Sequence, residues 1–416
     1  MTLPLSPLDL TILLAYLLAA VGLGLWLGRG QRDIGEYLLG GRNLPWWAVL
    51  GSIVATETST ATFLSVPGLA FAAGGDLTFL QLALGYIIGR VAVVVLFLPR
   101  YFEGTLFTSY EVLHRRFGGA TKQTASLMFL VTRNAADGLR LYLAAIALEK
   151  AVGIPLTQSV IIMGVVTILY TVFGGMKSVV WNDCIQFVVY IAGALLAAWV
   201  IINGLPGGLE QITTFATQHG KFTLFNVSLD PTEPYTIWAG IIGGAFLTLG
   251  THGTDQLMVQ RYLSARSRRD AARAVLASGF VVLAQFALFL FIGVGLAAWY
   301  AEFPLPEPIE KGDEAFAEFI VAELPPGAVG LVLAAVFSAA MSTLSSSLNS
   351  SATAAVNDLY RPWRERREMR DKRREVRDEG REPDSTAGGI HGPTGSRLST
   401  LDSRLADRHL MWVSRA

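Results

Sequence analysis

Eight consecutive residues, Ala55-Thr56-Glu57-Thr58-Ser59-Thr60-Ala61-Thr62, lie inside an apolar stretch yet carry no large apolar side chain, and Pro67-Gly68 follows shortly after. Such a segment has no face for lipid. It suits a broken helix whose freed carbonyls and hydroxyls line a cavity, with close packing of helices through small residues as the alternative. Glu57 favours the cavity, because an ionisable residue at membrane depth is costly and points to function. A second polar segment runs from Ser338 to Ser350, where Ser342, Ser345, Ser346 and Asn349 recur at helical spacing and share one face. Hydroxyl and carbonyl oxygens are hard donors suited to a hard cation such as Na⁺, and a serine zipper between two helices is the competing reading. Asp183, within Trp181-Asn182-Asp183-Cys184-Ile185-Gln186, is either a counter-ion on a cation path or an interfacial cap. Arg133, Asp137 and Arg140 fall on one helical face, which reads as an internal ion-pair network or as a carboxylate clamp with one arginine left free. Thr248, Thr251, His252, Thr254 and Asp255, with Gly250 and Gly253, interrupt another apolar run and read as a second unwound stretch.

The elements that must position these groups are membrane helices. The chain of 416 residues is 52% hydrophobic and only 16% charged, where soluble domains carry about 25% charged residues. A helix needs about 20 apolar residues to cross a bilayer. Nine stretches qualify: 8–28, 46–66, 78–98, 124–148, 157–173, 179–203, 236–257, 275–300 and 327–352. They are continuous runs without period-two alternation, which excludes a barrel. The first is read as a retained helix, since no cation precedes it and no cleavage motif follows. The single cysteine, Cys184, rules out an internal disulfide and a cysteine metal site. No HExxH motif or Walker loop points to an enzyme, and nothing points to nucleic acid.

Loop charge sets the expected orientation. Arg29, Arg32 and Arg42 follow the first span, Arg100, Arg115, Arg116 and Lys122 the third, and Arg261, Arg266, Arg268, Arg269 and Arg273 the seventh. Lys150, Lys221 and Lys311 stand alone in the intervening loops. Cations mark cytoplasmic loops, so the N-terminus is expected outside and the C-terminal tail inside an inner membrane. The domain division is 1–360 as the membrane domain and 361–416 as a tail dense in both charges, expected to be largely disordered.

Together these segments resemble the sodium/solute symporter family, nearest to its sialic-acid and organic-acid type members. The matching pieces are Gly40-Gly41-Arg42, Tyr110-Glu111-Val112-Leu113, Tyr170 to Lys177, Val180 to Gln186, Asp255-Gln256, Gln260-Arg261-Tyr262-Leu263, Ser345 to Ser350 and Asp358-Leu359-Tyr360, in family order over residues 8–360. The resemblance implies an all-α polytopic fold with the LeuT-type inverted repeat and a leading extra helix, in which the second and seventh spans here are the unwound ones. It implies one Na⁺ at Ala55, Thr58, Ala339, Ser342 and Thr343, and a second at Asp183, Ser342, Ser345 and Ser346. The solute would be a small organic molecule, carboxylate-bearing or sugar-like, bound by Glu57, Ser59, Thr62, Arg133, Arg140, Thr248, Thr251 and His252. Sialic-acid members hold the carboxylate with an arginine at the position of Ala136, so a clamp here shifts one turn to Arg133 or Arg140. The family core has ten helices, and the last core helices are expected to be missing here. A truncated, non-transporting fragment and a membrane sensor derived from a symporter are the alternatives to sodium-coupled symport.

Overall fold

The computed structural model describes residues 5–29, 31, 33–306, 309, 311–379, 410, 413 and 414. Among them the regular structure is helical, apart from an isolated parallel bridge pairing Leu44 with Ala265. Helix α1 (Pro7–Leu27) starts in a capping box: the Ser6 hydroxyl accepts from the Asp9 backbone and the Asp9 carboxylate accepts from Ser6. The short α2 (Ile34–Leu39) leads to the broken pair α3 (Trp46–Glu57) and α4 (Thr60–Phe71). Next come α5 (Leu80–Tyr101), α6 (Glu111–Phe117), α7 (Gly119–Val152), α8 (Leu156–Gly204) and α9 (Gly208–Gln218). The chain closes with α10 (Gly244–Gly253), α11 (Gln256–Ser264), α12 (Arg268–Glu302), α13 (Gly312–Ala322), α14 (Ala328–Ala354) and α15 (Arg361–Glu379).

Five of these helices are long and apolar enough to cross a bilayer, or six when the bent pair α3–α4 counts as one span. Two expected spans, 157–173 and 179–203, join within α8, whose backbone leaves helical space at Gly175 (φ 56°, ψ −159°). That conformation is essentially reserved for glycine, and a Cβ added there would lie 2.6 Å from the Tyr37 carbonyl oxygen. Gly175→Ala is therefore expected to cost at least about 2 kcal/mol, read as a fall in melting temperature in detergent. The stretch 236–257 is broken as well: a π-helical turn at Ala239–Gly243 enters α10, and Asp255 starts α11 by accepting from the Leu257 backbone at 2.8 Å. The stretch 124–148 is one long helix, α7, that carries its own arginines and aspartate.

Residues 361–379 differ from the expected disorder. They form α15, continuing α14 through a π-helical stretch at Ala355–Tyr360. Opposite charges one turn apart support it, Arg361 with Glu365 at 3.4 Å and Arg364 with Glu368 at 2.7 Å. The rest of the expected tail lies outside the described residues, apart from 410, 413 and 414.

The most extensive helix contact is between α14 and α8. Small residues allow it, since a Cβ on Gly193 would reach 2.8 Å from the Ala335 Cβ. Asp9 fastens α1 to the start of α14, where its carboxylate accepts from the Gly327 and Gly330 backbones, both at 2.7 Å. At the other end of α4, the buried Lys221 ammonium donates to the carbonyls of Ala70 at 2.7 Å and Ala72 at 3.0 Å. Burial holds that ammonium below the ordinary lysine value.

Candidate functional site

The centre of the molecule is built on the break between α3 and α4, which bend by 66°. Thr58 takes an extended conformation (φ −85°, ψ 99°), and Ser59 caps the second half by accepting from the Thr62 backbone at 3.3 Å. The sequence breaks here because Ser and Thr hydroxyls compete for backbone groups that the helix would otherwise use. Thr58 turns its hydroxyl to Tyr190 at 3.2 Å and Gln285 at 3.2 Å, which fixes the break against α8 and α12.

Beside the break lies a cavity of about 340 Å³, and all eight residues singled out for the solute line it: Glu57, Ser59, Thr62, Arg133, Arg140, Thr248, Thr251 and His252. Their side chains are not equally available. The Glu57 carboxylate receives Arg90 Nη2 at 2.6 Å on both oxygens and lies 2.9 Å from His252 Nε2, so its charge is already matched. Arg90 is fully buried and also donates to Ser278 at 2.9 Å. Arg133 lies 3.0 Å from Asp137 and donates to Ser347 at 2.9 Å. Arg140 lies 3.4 Å from the same carboxylate, and its side chain stays 42% exposed, so it is the guanidinium most open to the cavity. Phe79, Tyr86 and Phe286 supply an apolar wall, with the Phe79 and Phe286 rings 5.2 Å apart. Sequence reasoning missed these aromatics, which look like any other aromatic in an apolar run.

The residues of the first cation set come together where α14 meets the break. Thr343 donates to the Thr56 carbonyl at 3.2 Å, and Ala55, Ala339 and Ser342 are fully buried. In the second set, Asp183 is not an interfacial group at a span's start but a fully buried one within α8. Its oxygens accept from Ser342 at 2.6 Å, Ser52 at 2.5 Å and Ser346 at 3.5 Å. Ser345 does not join them and donates instead to the Ser342 carbonyl at 3.1 Å.

The largest departure is Arg261. It was counted among the loop cations, yet it is 1% exposed. Its Nη2 lies 3.2 Å from Asp183 and 2.5 Å from the Thr56 hydroxyl, and also donates to Ser346, while Nε donates to Ser52 at 2.9 Å. A guanidinium thus stands among members of the second cation set. Arg90 was missed as well, although an arginine eleven residues into an apolar helix is itself a signal.

The segments that carry the sequence resemblance also meet one another in space. Gln260 donates to the Leu38 carbonyl at 2.7 Å and to Thr353 at 2.8 Å. Gln256 accepts from the Ser109 backbone at 2.7 Å, and Glu111 accepts from Asn357 at 2.7 Å. Asp358 holds Lys122 at 2.9 Å and Thr108 at 2.9 Å. These residues tie helices together around the broken pairs. The sequence matches the Sodium:solute symporter family over residues 37–378. The chain belongs to that family.

Among similar proteins is the human sodium/iodide cotransporter, 32% identical over 370 residues that cover 85% of this chain and 56% of the relative. The sodium/sialic acid symporter SiaT of Proteus mirabilis is 31% identical over 362 residues, covering 85% of this chain and 71% of the relative. A solved structure of a Na⁺-coupled sialic acid symporter in a substrate-bound outward-open state superposes with a TM-score of 0.80 at 27% identity. That likeness covers 99% of this chain and 81% of the solved one. The fold is therefore that of a polytopic helical symporter. The chain spans 56% of the sodium/iodide cotransporter's length and 57% of that of a rabbit sodium-dependent multivitamin transporter.

Proposed function

We propose that this symporter-family chain couples Na⁺ entry to uptake of a small organic solute by alternating access. The observation that carries the reading is the adjacency of two features at the α3–α4 break. The polar cavity of about 340 Å³ and the first cation set share Thr58 and Thr343, so solute and ion would sit within one side chain of each other. Ala55, Thr58, Ala339, Ser342 and Thr343 offer only hard oxygen donors and methyl groups, the set a Na⁺ takes. Binding of either ligand would order the same break, which gives reciprocal coupling without direct contact.

The solute class that fits is carboxylate-bearing or sugar-like. Arg140 is placed to receive an anionic group, the Ser and Thr hydroxyls match polar substituents, and the Phe79–Tyr86–Phe286 wall matches an apolar face. One inward Na⁺ supplies about 2.3 kcal/mol per 100 mV of membrane potential, and a tenfold gradient adds about 1.4 kcal/mol. The protein would lie in the inner membrane with the N-terminus outside and α15 at the cytoplasmic face, because the basic loops share one side.

Uptake into proteoliposomes tests this directly. A panel of labelled sialic acid, short monocarboxylates and neutral sugars is presented under an inward Na⁺ gradient or an equal choline gradient. At least one solute is expected to accumulate with Na⁺ alone, and Thr343→Ala is expected to lower the apparent Na⁺ affinity by about tenfold or more. Equal uptake in choline, or an unchanged Na⁺ dependence in Thr343→Ala, would sink the assignment.

A further inference from the structure

A second cavity, of about 630 Å³, opens on the face that carries the basic loops, at the end of α3 opposite its break. Its cations come from three different elements. Arg29 follows the end of α1, Lys177 stands two residues past the Gly175 kink in α8, and Arg266 lies between α11 and α12. All three are exposed, and among the described residues none of them forms an ion pair. Among the described residues Glu36 is the only acid in the lining, where three cations stand, so the described lining carries an excess of positive charge.

The walls are built rather than incidental. The Leu44–Ala265 bridge, with Leu44 N donating to Ser264 at 3.1 Å and Arg266 N to Leu44 at 3.2 Å, locks the α2–α3 connection to the end of α11. Arg266 Nε donates to the Asn43 carbonyl at 3.1 Å, which aims the rest of the guanidinium into the space. Gln31 Nε2 donates to the Gly174 carbonyl at 2.6 Å and holds the other side to the kink. On the rim, Trp47 and Trp181 stack edge to face with centroids 5.2 Å apart, and Trp47 keeps 49% of its surface exposed. Indoles with one apolar and one wet end sit at the headgroup level of a bilayer, and the exposed Trp26 stands next in sequence to Leu27 of the lining.

We propose that this cavity binds the phosphate-bearing headgroup of an anionic phospholipid, with the phosphate among Arg29, Lys177 and Arg266 and the acyl chains leaving past Trp47. Basic pockets between membrane helices on the side of the positive loops suit that chemistry, because the guanidinium and ammonium groups give charge-assisted hydrogen bonds while the lipid supplies its own apolar anchor. A headgroup held there bridges the end of α1, the α8 kink and the α11–α12 connection. The inference does not depend on which solute, or whether any solute, is carried.

The test uses purified, lipid-depleted protein in detergent, with melting temperature and retained lipid in native mass spectrometry as readouts. Phosphatidylglycerol, phosphatidylcholine with the same chains, and inorganic phosphate at matched ionic strength are added separately. Phosphatidylglycerol alone is expected to raise the melting temperature saturably, and Lys177→Gln with Arg266→Gln is expected to weaken it by about tenfold or more. Arg269→Gln, on the same face but outside the cavity, is expected to leave it unchanged. All three residues are exposed, so the variants fold as the parent does, and their unliganded melts check that. An equal rise with phosphatidylcholine, or a rise that survives the double variant, overturns the site. A rise with inorganic phosphate that matches phosphatidylglycerol overturns the lipid reading in favour of a soluble anion.

Discussion

Arg261→Gln is expected to destabilise the protein by about 3–5 kcal/mol, because it leaves Asp183 charged and buried without its cation. The pair is fully enclosed, with Arg261 1% and Asp183 0% exposed, so water cannot replace the missing partner. Serines would still donate to the carboxylate from Ser52 at 2.5 Å and Ser342 at 2.6 Å, but neutral hydroxyls do not offset a whole charge in a low-dielectric interior. Asp183→Asn combined with Arg261→Gln removes both charges and is expected to recover much of the loss, so a double-mutant cycle on melting free energies should show strong coupling. The cycle also bears on the second cation set. Nη2 of Arg261 reaches both Asp183 and Ser346, so a Na⁺ held by those residues requires the guanidinium to move aside. Sodium should accordingly stabilise Arg261→Gln more than the parent, and should fail to stabilise the double variant in the same way. Additive single-mutant effects, or equal sodium responses in all three proteins, would show that Arg261 and Asp183 do not act as a pair and that no cation competes there.

The contrast between what the sequence displayed and what it hid has a physical basis. The broken helix was legible because eight small or polar residues in a row exclude lipid contact on every side, whatever the neighbours are. The Arg133–Asp137–Arg140 network was legible because helical spacing alone places those charges together, and the observed distances of 3.0 and 3.4 Å follow from it. Arg261 was not legible, since it stands in a run of arginines whose other members at 266, 268, 269 and 273 are not buried side chains of the interior. Only the packing of α11 against α3 and α14 decides that one of them points inward. The Glu57–Arg90 pair joins residues 33 apart on separate helices, a pairing no local pattern encodes. In α15 the error had the opposite origin. Overall charge density suggested a solvated tail, while the local order of Arg and Glu at one-turn spacing, Arg364 with Glu368 for instance, favours a helix.

Arg140→Gln is expected to raise the half-saturation of a carboxylate solute by about 10- to 100-fold while leaving neutral solutes and the melting temperature near parental values. A charge-assisted hydrogen bond contributes about 1.5–3 kcal/mol, which sets that range. The stability half of the expectation comes from exposure: with 42% of its side chain open and Asp137 still served by Arg133 at 3.0 Å, Arg140 is dispensable to the fold. Arg90→Gln removes the same charge from the same neighbourhood but should behave differently. Each variant leaves one negative charge in excess, and in Arg140→Gln it falls on Asp137, which keeps Arg133. In Arg90→Gln, however, the excess falls on Glu57 at the break itself, with only His252 at 2.9 Å to receive it. That variant should lose stability, and with it both ion and solute affinity, for charged and neutral solutes alike. Comparing the two in parallel uptake and melting assays separates a residue that touches the solute from one that holds the break in place. If Arg140→Gln weakens neutral and carboxylate solutes equally, the cavity does not read an anionic group through this side chain, and the carboxylate class loses its support.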